Sequence, residues 1–174
     1  SSPNSSTQPL TILLLPGSRN PEAEDNWQII LSAVENVISG FPYRQLNFLA
    51  AIAPHLSLTP FLSYLSSRGW QQITSEGINL PIKDAQASIL TNGSTQLILS
   101  QNAYSECLSQ SQLAIAMAGT ATEQFIGLGK PAFIIPGPGP QFTPLFAERQ
   151  THLLGVSVTL VSQPTQMAEA ITSL

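Results

Sequence analysis

From Ile12 to Leu15 the chain is apolar at every position. Directly after it, between Pro21 and Gly40, apolar residues recur at helical spacing as Ile29, Ile30, Ala33, Val34, Val37 and Ile38. A strand with no polar face is one that is covered on both sides, and an amphipathic helix following it supplies one of the covers. The same alternation of short β-rich runs and amphipathic stretches continues along the chain. The expected fold class is therefore α/β, a parallel sheet with helices on both faces.

The remaining elements follow from local signals. The first strand is expected over Thr11 to Leu15. Its helix starts with Pro21 in the first helical position and Glu22, Glu24 and Asp25 in the first turn, where the helix dipole favours acids, and it ends at Gly40. A second strand is expected over Gln45 to Ile52 and a helix over Leu58 to Ser67, stopping near Gly69. Asn92-Gly93, between two apolar runs, predicts a hairpin with a two-residue turn at the sheet edge. Then come a short helix at Glu106 to Gln110, a strand at Leu113 to Met117, a helix at Ala121 to Leu128 and a strand at Ala132 to Ile135. A helix at Leu145 to Leu153, a strand at Ser157 to Val161 and a helix from Pro164 to Leu174 complete the plan.

With 174 residues, 43% of them hydrophobic, one compact domain with a real core is expected. The 6 Lys and Arg are scattered and outnumbered by 10 Asp and Glu, so there is no basic stripe for a polyanion and nucleic acid is not an expected partner. A single cysteine, Cys107, forms no internal disulfide and reads as an ordinary thiol in a reducing compartment. The apolar runs are far shorter than the ~20 residues of a spanning helix. Residues 1–10, rich in Ser, Pro and Asn, read as a linker or cloning remnant, and the chain as a piece of something longer.

In open parallel sheets ligands bind beyond the carboxyl ends of the strands, which singles out three loops, Pro16 to Asn20, Gly119 to Glu123 and Pro136 to Thr143. In the second, Thr120 and Glu123 match a capping box. Equally, Gly119 lets a ligand approach backbone, and the hydroxyls and amides of a helix start can hold an anion. With Thr120 and Thr122 on a pyrophosphate, Glu123 would accept hydrogen bonds from the two hydroxyls of a ribose. In the first loop Gly17 and Ser18 can bring backbone close to a ligand. Arg19 is either a contact for anionic oxygens or half of a surface ion pair with Glu22 or Glu24. The third loop, PGPGPQFTP, is a rigid spacer or a wall of peptide groups with Gln141 and Thr143 facing a polar ligand. His55, after the second strand, is either a border of this site or a solvated loop residue. No GxGxxG and no GxxxxGK[ST] follows the first strand, and two distant histidines supply neither a metal site nor a catalytic triad well.

Taken together, LLLPGSRNPEAE, AIAMAGTATEQFIGLGKPAFIIP and GPGPQFTPLFAERQTHLLG resemble, in order and spacing, the carboxyl-terminal domain of lipid-A-disaccharide synthase and its related proteins, glycosyltransferases of the two-domain GT-B fold. The resemblance covers about Thr11 to Leu160 and is weaker over Trp70 to Gln101. It implies that residues 11–174 are a Rossmann-like, nucleotide-sugar-binding half of a GT-B fold whose acceptor half is absent from this chain. By resemblance, Gly17, Ser18 and Arg19 lie near the phosphates of a UDP-sugar donor, with Arg19 a donor-phosphate stabiliser. Gly119, Thr120, Ala121, Thr122 and Glu123 form the donor-binding segment, with Glu123 on the ribose, and Gln141 contacts the donor sugar. The resemblance further implies hexosyl transfer with inversion to a glycolipid acceptor, release of UDP, no cofactor and no metal. The general base and most of the acceptor site are expected in the other half, so this piece alone should not turn over. The location implied is cytoplasmic, with peripheral contact to the inner face of the membrane through the full-length protein. Two other functions fit the same architecture: a domain of a non-hydrolysing UDP-sugar 2-epimerase, and a non-catalytic nucleotide-binding module.

Overall fold

The computed structural model describes residues 8–137, 150–153 and 155–174. They form a Rossmann-like α/β domain, the architecture expected of one half of a GT-B fold. Its centre is a nine-stranded sheet in the order β3-β4-β5-β2-β1-β6-β7-β9-β8. The strands are β1 (Leu10–Leu15), β2 (Leu46–Ala51), β3 (Gln71–Ile73), β4 (Ser88–Asn92), β5 (Thr95–Ser100), β6 (Leu113–Met117), β7 (Ala132–Ile135), β8 (Gln150–Leu153) and β9 (Val156–Leu160). The helices are α1 (Glu22–Gly40), α2 (Thr59–Ser67), α3 (Tyr104–Gln110), α4 (Glu123–Ile126) and α5 (Met167–Thr172), the last preceded by a 3-10 turn at Pro164–Gln166.

Strand β1 is central and pairs in parallel with β2 on one side, Ile12 opposite Phe48, and with β6 on the other, Ile12 opposite Leu113. Parallel pairing continues outward to β5 and to β7 and β9. Successive side chains alternate faces, and the core divides accordingly. Ile12 and Leu14 join Trp27, Ile30 and Val34 of α1, Phe61 of α2 and Met167 of α5. Leu13 and Leu15 join Cys107 and Leu108 of α3 and Phe125 of α4 on the opposite face. Trp27 anchors the first layer. It is fully buried, donates from Nε1 to the Phe61 carbonyl at 3.2 Å and packs against the Phe61 ring at a centroid distance of 5.5 Å. Truncating such a residue costs about 3–5 kcal/mol.

Several expectations are corrected. Gly40 is the last residue of α1, as expected, but it takes no left-handed turn there, and an added Cβ would collide with the Cβ of Ala168. Its role is close packing of α1 against α5. Pro21 occupies the N-cap position of α1, one residue before the helix proper. The hairpin turn is Gly93-Ser94, since Asn92 still pairs with Thr95. Only β4 and β3 of that region belong to the antiparallel margin, because β5 pairs in parallel with β2 inside the sheet. The helix expected over Leu145 to Leu153 is replaced at its carboxyl end by β8, antiparallel to β9; 145–149 lie outside the described residues. Among the described residues no helix is long and apolar enough to cross a membrane.

Candidate functional site

The chain runs from β1 through α1 to β2 on one side, whereas β6, the other neighbour of β1, is reached only after β5. The strand order reverses between β1 and β6, and at such a point the loops leaving the two strands diverge and open a crevice at the carboxyl edge. A cleft of about 750 Å³ lies there, within the size range of ligand pockets. It is lined by Pro16 to Arg19 after β1, Ala118 to Ala121 after β6, Ile52 to Pro54 after β2, and Ser100 and Gln101 at the end of β5. Glu22 and Asn26 of α1 and Tyr104 of α3 complete it.

Backbone conformation opens the crevice. Gly17 has φ of 105° and Gly119 φ of 90°, in the left-handed region that side chains disfavour. The Thr120 amide donates to the Met117 carbonyl at 3.0 Å, closing the turn after β6. Side chains then tie the loops to one another. Asn26 Nδ2 donates to the Pro16 carbonyl at 2.9 Å, and Gln101 Nε2 donates to the carbonyls of Ala53 and Leu56 at 3.0 and 2.7 Å. His55 Nε2 lies 2.8 Å from the Ser18 carbonyl, which can only accept, so that nitrogen carries the proton. His55 is thus neither a free loop residue nor part of the cleft wall; it braces the loop after β1 from the loop after β2.

The polarity of the cleft is uneven. Arg19 is exposed, and neither Glu22 nor Glu24 pairs with it; the ion pair found among the described residues joins Arg68 to Glu35 at 2.7 Å. The Arg19 guanidinium is therefore open to an incoming anion. Tyr104 stays a neutral phenol, because burial and then the Glu123 carboxylate hold its pKa above the ordinary value.

Of the residues expected at the site, Gly17, Ser18, Arg19, Gly119, Thr120 and Ala121 line one cleft. Thr122 is buried at the N-cap position of α4 and makes no side-chain cap bond, so the capping box of Thr120 and Glu123 is not formed. With α4 only 4 residues long, Thr120 sits in the preceding turn rather than at the cap. Glu123 is exposed and outside the lining, close enough to Tyr104 to act on it electrostatically. Gln141 and Thr143 lie outside the described residues. Asn26, Ser100, Gln101 and Tyr104 were not expected. Asn26 stands one helical turn from Glu22 on α1 and could have been placed by that spacing; nothing local marks the other three.

Behind Ser100 lies a buried carboxylate. Asp84 accepts from Ser100 Oγ at 2.7 Å, from the Gln86 amide at 3.0 Å and from Asn102 Nδ2 at 3.4 Å. Burial alone would raise its pKa, but these hydrogen bonds outweigh it and hold the carboxyl below the ordinary value. Cys107, on the same face, is fully buried, and burial pushes its thiol up to about 11. It is a neutral packing group. No family model matches the chain, and no curated protein matches it.

Proposed function

We propose that this domain is the UDP-sugar donor-binding half of an inverting glycosyltransferase resembling lipid-A-disaccharide synthase, one that transfers a hexosyl group to a glycolipid and releases UDP. The observation that carries this reading is the cleft at the point of strand-order reversal, where Gly17 to Arg19 and Gly119 to Ala121 face each other. Two loops with left-handed glycines allow backbone amides to approach a diphosphate, and the open Arg19 guanidinium can grip its oxygens in two-pronged fashion.

In this reading the domain orients the donor and stabilises the negative charge that develops on the departing UDP. The three acids at the start of α1, Glu22, Glu24 and Asp25, keep the diphosphate away from that helix terminus and toward Arg19 and the turn at Gly119. Glu123 takes the ribose at the margin of the cleft. The acceptor and the general base come from a second domain, which also brings any peripheral contact with the membrane.

Thermal unfolding with added nucleotides tests the proposal. Saturating UDP at 100 times its Kd should stabilise the domain by about 2.7 kcal/mol, and uridine without phosphates should do far less. Equal stabilisation by both, or none by UDP, would exclude a donor-phosphate site.

A further inference from the structure

Strands β3 and β4 pair antiparallel, and a hairpin connection needs only about 2–5 residues. Residues 74–87 make a far longer excursion between them, without regular structure. The excursion crosses the sheet face that α3 covers. Leu80 and Ile82 pack in the apolar cluster of Leu13, Leu15, Cys107 and Leu108, and the Lys83 amide donates to Glu106 Oε2 on α3 at 3.0 Å. Its course brings Asp84 to the end of β5, where the carboxylate accepts from Ser100 Oγ and Asn102 Nδ2. Gln86 Oε1 lies 3.3 Å from the same Asn102 nitrogen.

These ties matter because the loop after β5 has little else to fix it. The Ser100 carbonyl accepts from the Ile52 amide and the Ala103 carbonyl from the Cys107 amide, both at 2.9 Å. Between them, the backbone of Gln101 and Asn102 has no backbone partner among the described residues. Side chains hold the loop instead, from both faces of the sheet. Asp84 and Gln86 hold Ser100 and Asn102 on one side, and Gln101 Nε2 reaches the carbonyls of Ala53 and Leu56 on the other. The loop contributes Ser100 and Gln101 to the cleft and leads directly into Tyr104, whereas neither Asp84 nor Asn102 lines it. We infer that Asp84 is a positioning residue of the nucleotide cleft, which through Ser100 and Asn102 sets the loop that presents Gln101 and Tyr104 at the site. This deepens the proposed donor-site reading and rests on it.

Calorimetry with UDP on the intact chain compares the parent with Asp84→Ala, Asn102→Ala, Tyr104→Ala and the double variants that combine Tyr104→Ala with each of the other two. Gly40→Val, altered at the opposite end of α1 from the cleft, controls for a general loss of stability. Asp84→Ala and Asn102→Ala should weaken UDP roughly five- to tenfold, as residues coupled to a site without touching its ligand do, and Gly40→Val should not. In the double variants the loss should fall short of the product of the single losses, because a displaced loop no longer presents Tyr104. Asn102 is exposed, so its variants carry the test even if Asp84→Ala does not fold. Unchanged UDP affinity in Asn102→Ala, an equal loss in Gly40→Val, or losses that simply multiply would reduce Asp84 to a clasp for residues 74–87. If the parent does not bind UDP, the donor-site reading itself fails.

Discussion

Gly17 and Thr120 face each other where the strand order reverses: a Cβ on Gly17 would lie 3.6 Å from Thr120 Oγ1 and 3.8 Å from Asn26 Nδ2. Those are ordinary contact distances, so a methyl would fit the folded domain but fill the gap between the two loops. The φ of 105° at Gly17 adds a backbone cost. Gly17→Ala should lower stability in urea by about 1–2 kcal/mol and weaken UDP by more than any general loosening of the fold explains. An unchanged UDP affinity would mean that no ligand passes between these loops.

The contact of Gly40 with Ala168 is tighter. Any side chain at position 40 displaces α5 from α1, and the Ala168 amide would move away from Asn36 Oδ1, which it meets at 2.8 Å. Gly40→Val should cost about 1–3 kcal/mol by overpacking, read as a lower urea midpoint. Were Gly40 merely a flexible helix end, Gly40→Ala would instead stabilise the helix.

Asp84 makes stability depend on acid. Its carboxyl is held below the ordinary 3.8 in the folded chain and returns to about 3.9 on unfolding. The unfolded state then binds the proton more readily. The contribution is full above the ordinary value and is lost as pH falls from there through the folded pKa. Asp84→Asn should cost about 1–3 kcal/mol at neutral pH and flatten the loss of stability between neutral and acid pH. A variant with the parent's acid limb would remove Asp84 from that role.

Glu123 separates two roles that share one position. It makes no cap bond, since the cap position belongs to Thr122. Glu123→Ala should therefore change stability by less than about 0.5 kcal/mol. On the proposed reading, the same variant weakens UDP while leaving 2′,3′-dideoxy-UDP, which lacks both ribose hydroxyls, nearly unaffected. A loss of stability without a loss of affinity would return Glu123 to a structural role.

Much of this was legible because burial writes itself into pattern. The strands β6 and β7 are apolar throughout and β1 is so apart from Thr11, and their limits were readable to within a residue. The convergence of the loops after β1 and β6 followed from parallel pairing alone. Other features depend on contacts distant in sequence. The collision at Gly40 involves Ala168, and a helix-stop signal looks the same whether glycine serves conformation or packing. The capping motif at Thr120 failed because the turn after β6 used the Thr120 amide first, pushing α4 two residues onward. Ser100 and Gln101 are ordinary polar residues at a strand end. Their side-chain donors are taken by Asp84, Ala53 and Leu56, and no spacing rule connects those positions.

Calorimetric titration of UDP into the parent chain and into Arg19→Ala addresses the donor site most directly. Arg19 lines the cleft and pairs with no acid among the described residues, so its removal breaks nothing in the fold. The parent should bind UDP with a 1:1 stoichiometry. Arg19→Ala should bind roughly tenfold or more weakly, with uridine affinity unchanged, as expected for the loss of a charge-assisted contact to phosphate. No heat with UDP, or equal affinity in parent and variant, would contradict a donor diphosphate in this cleft.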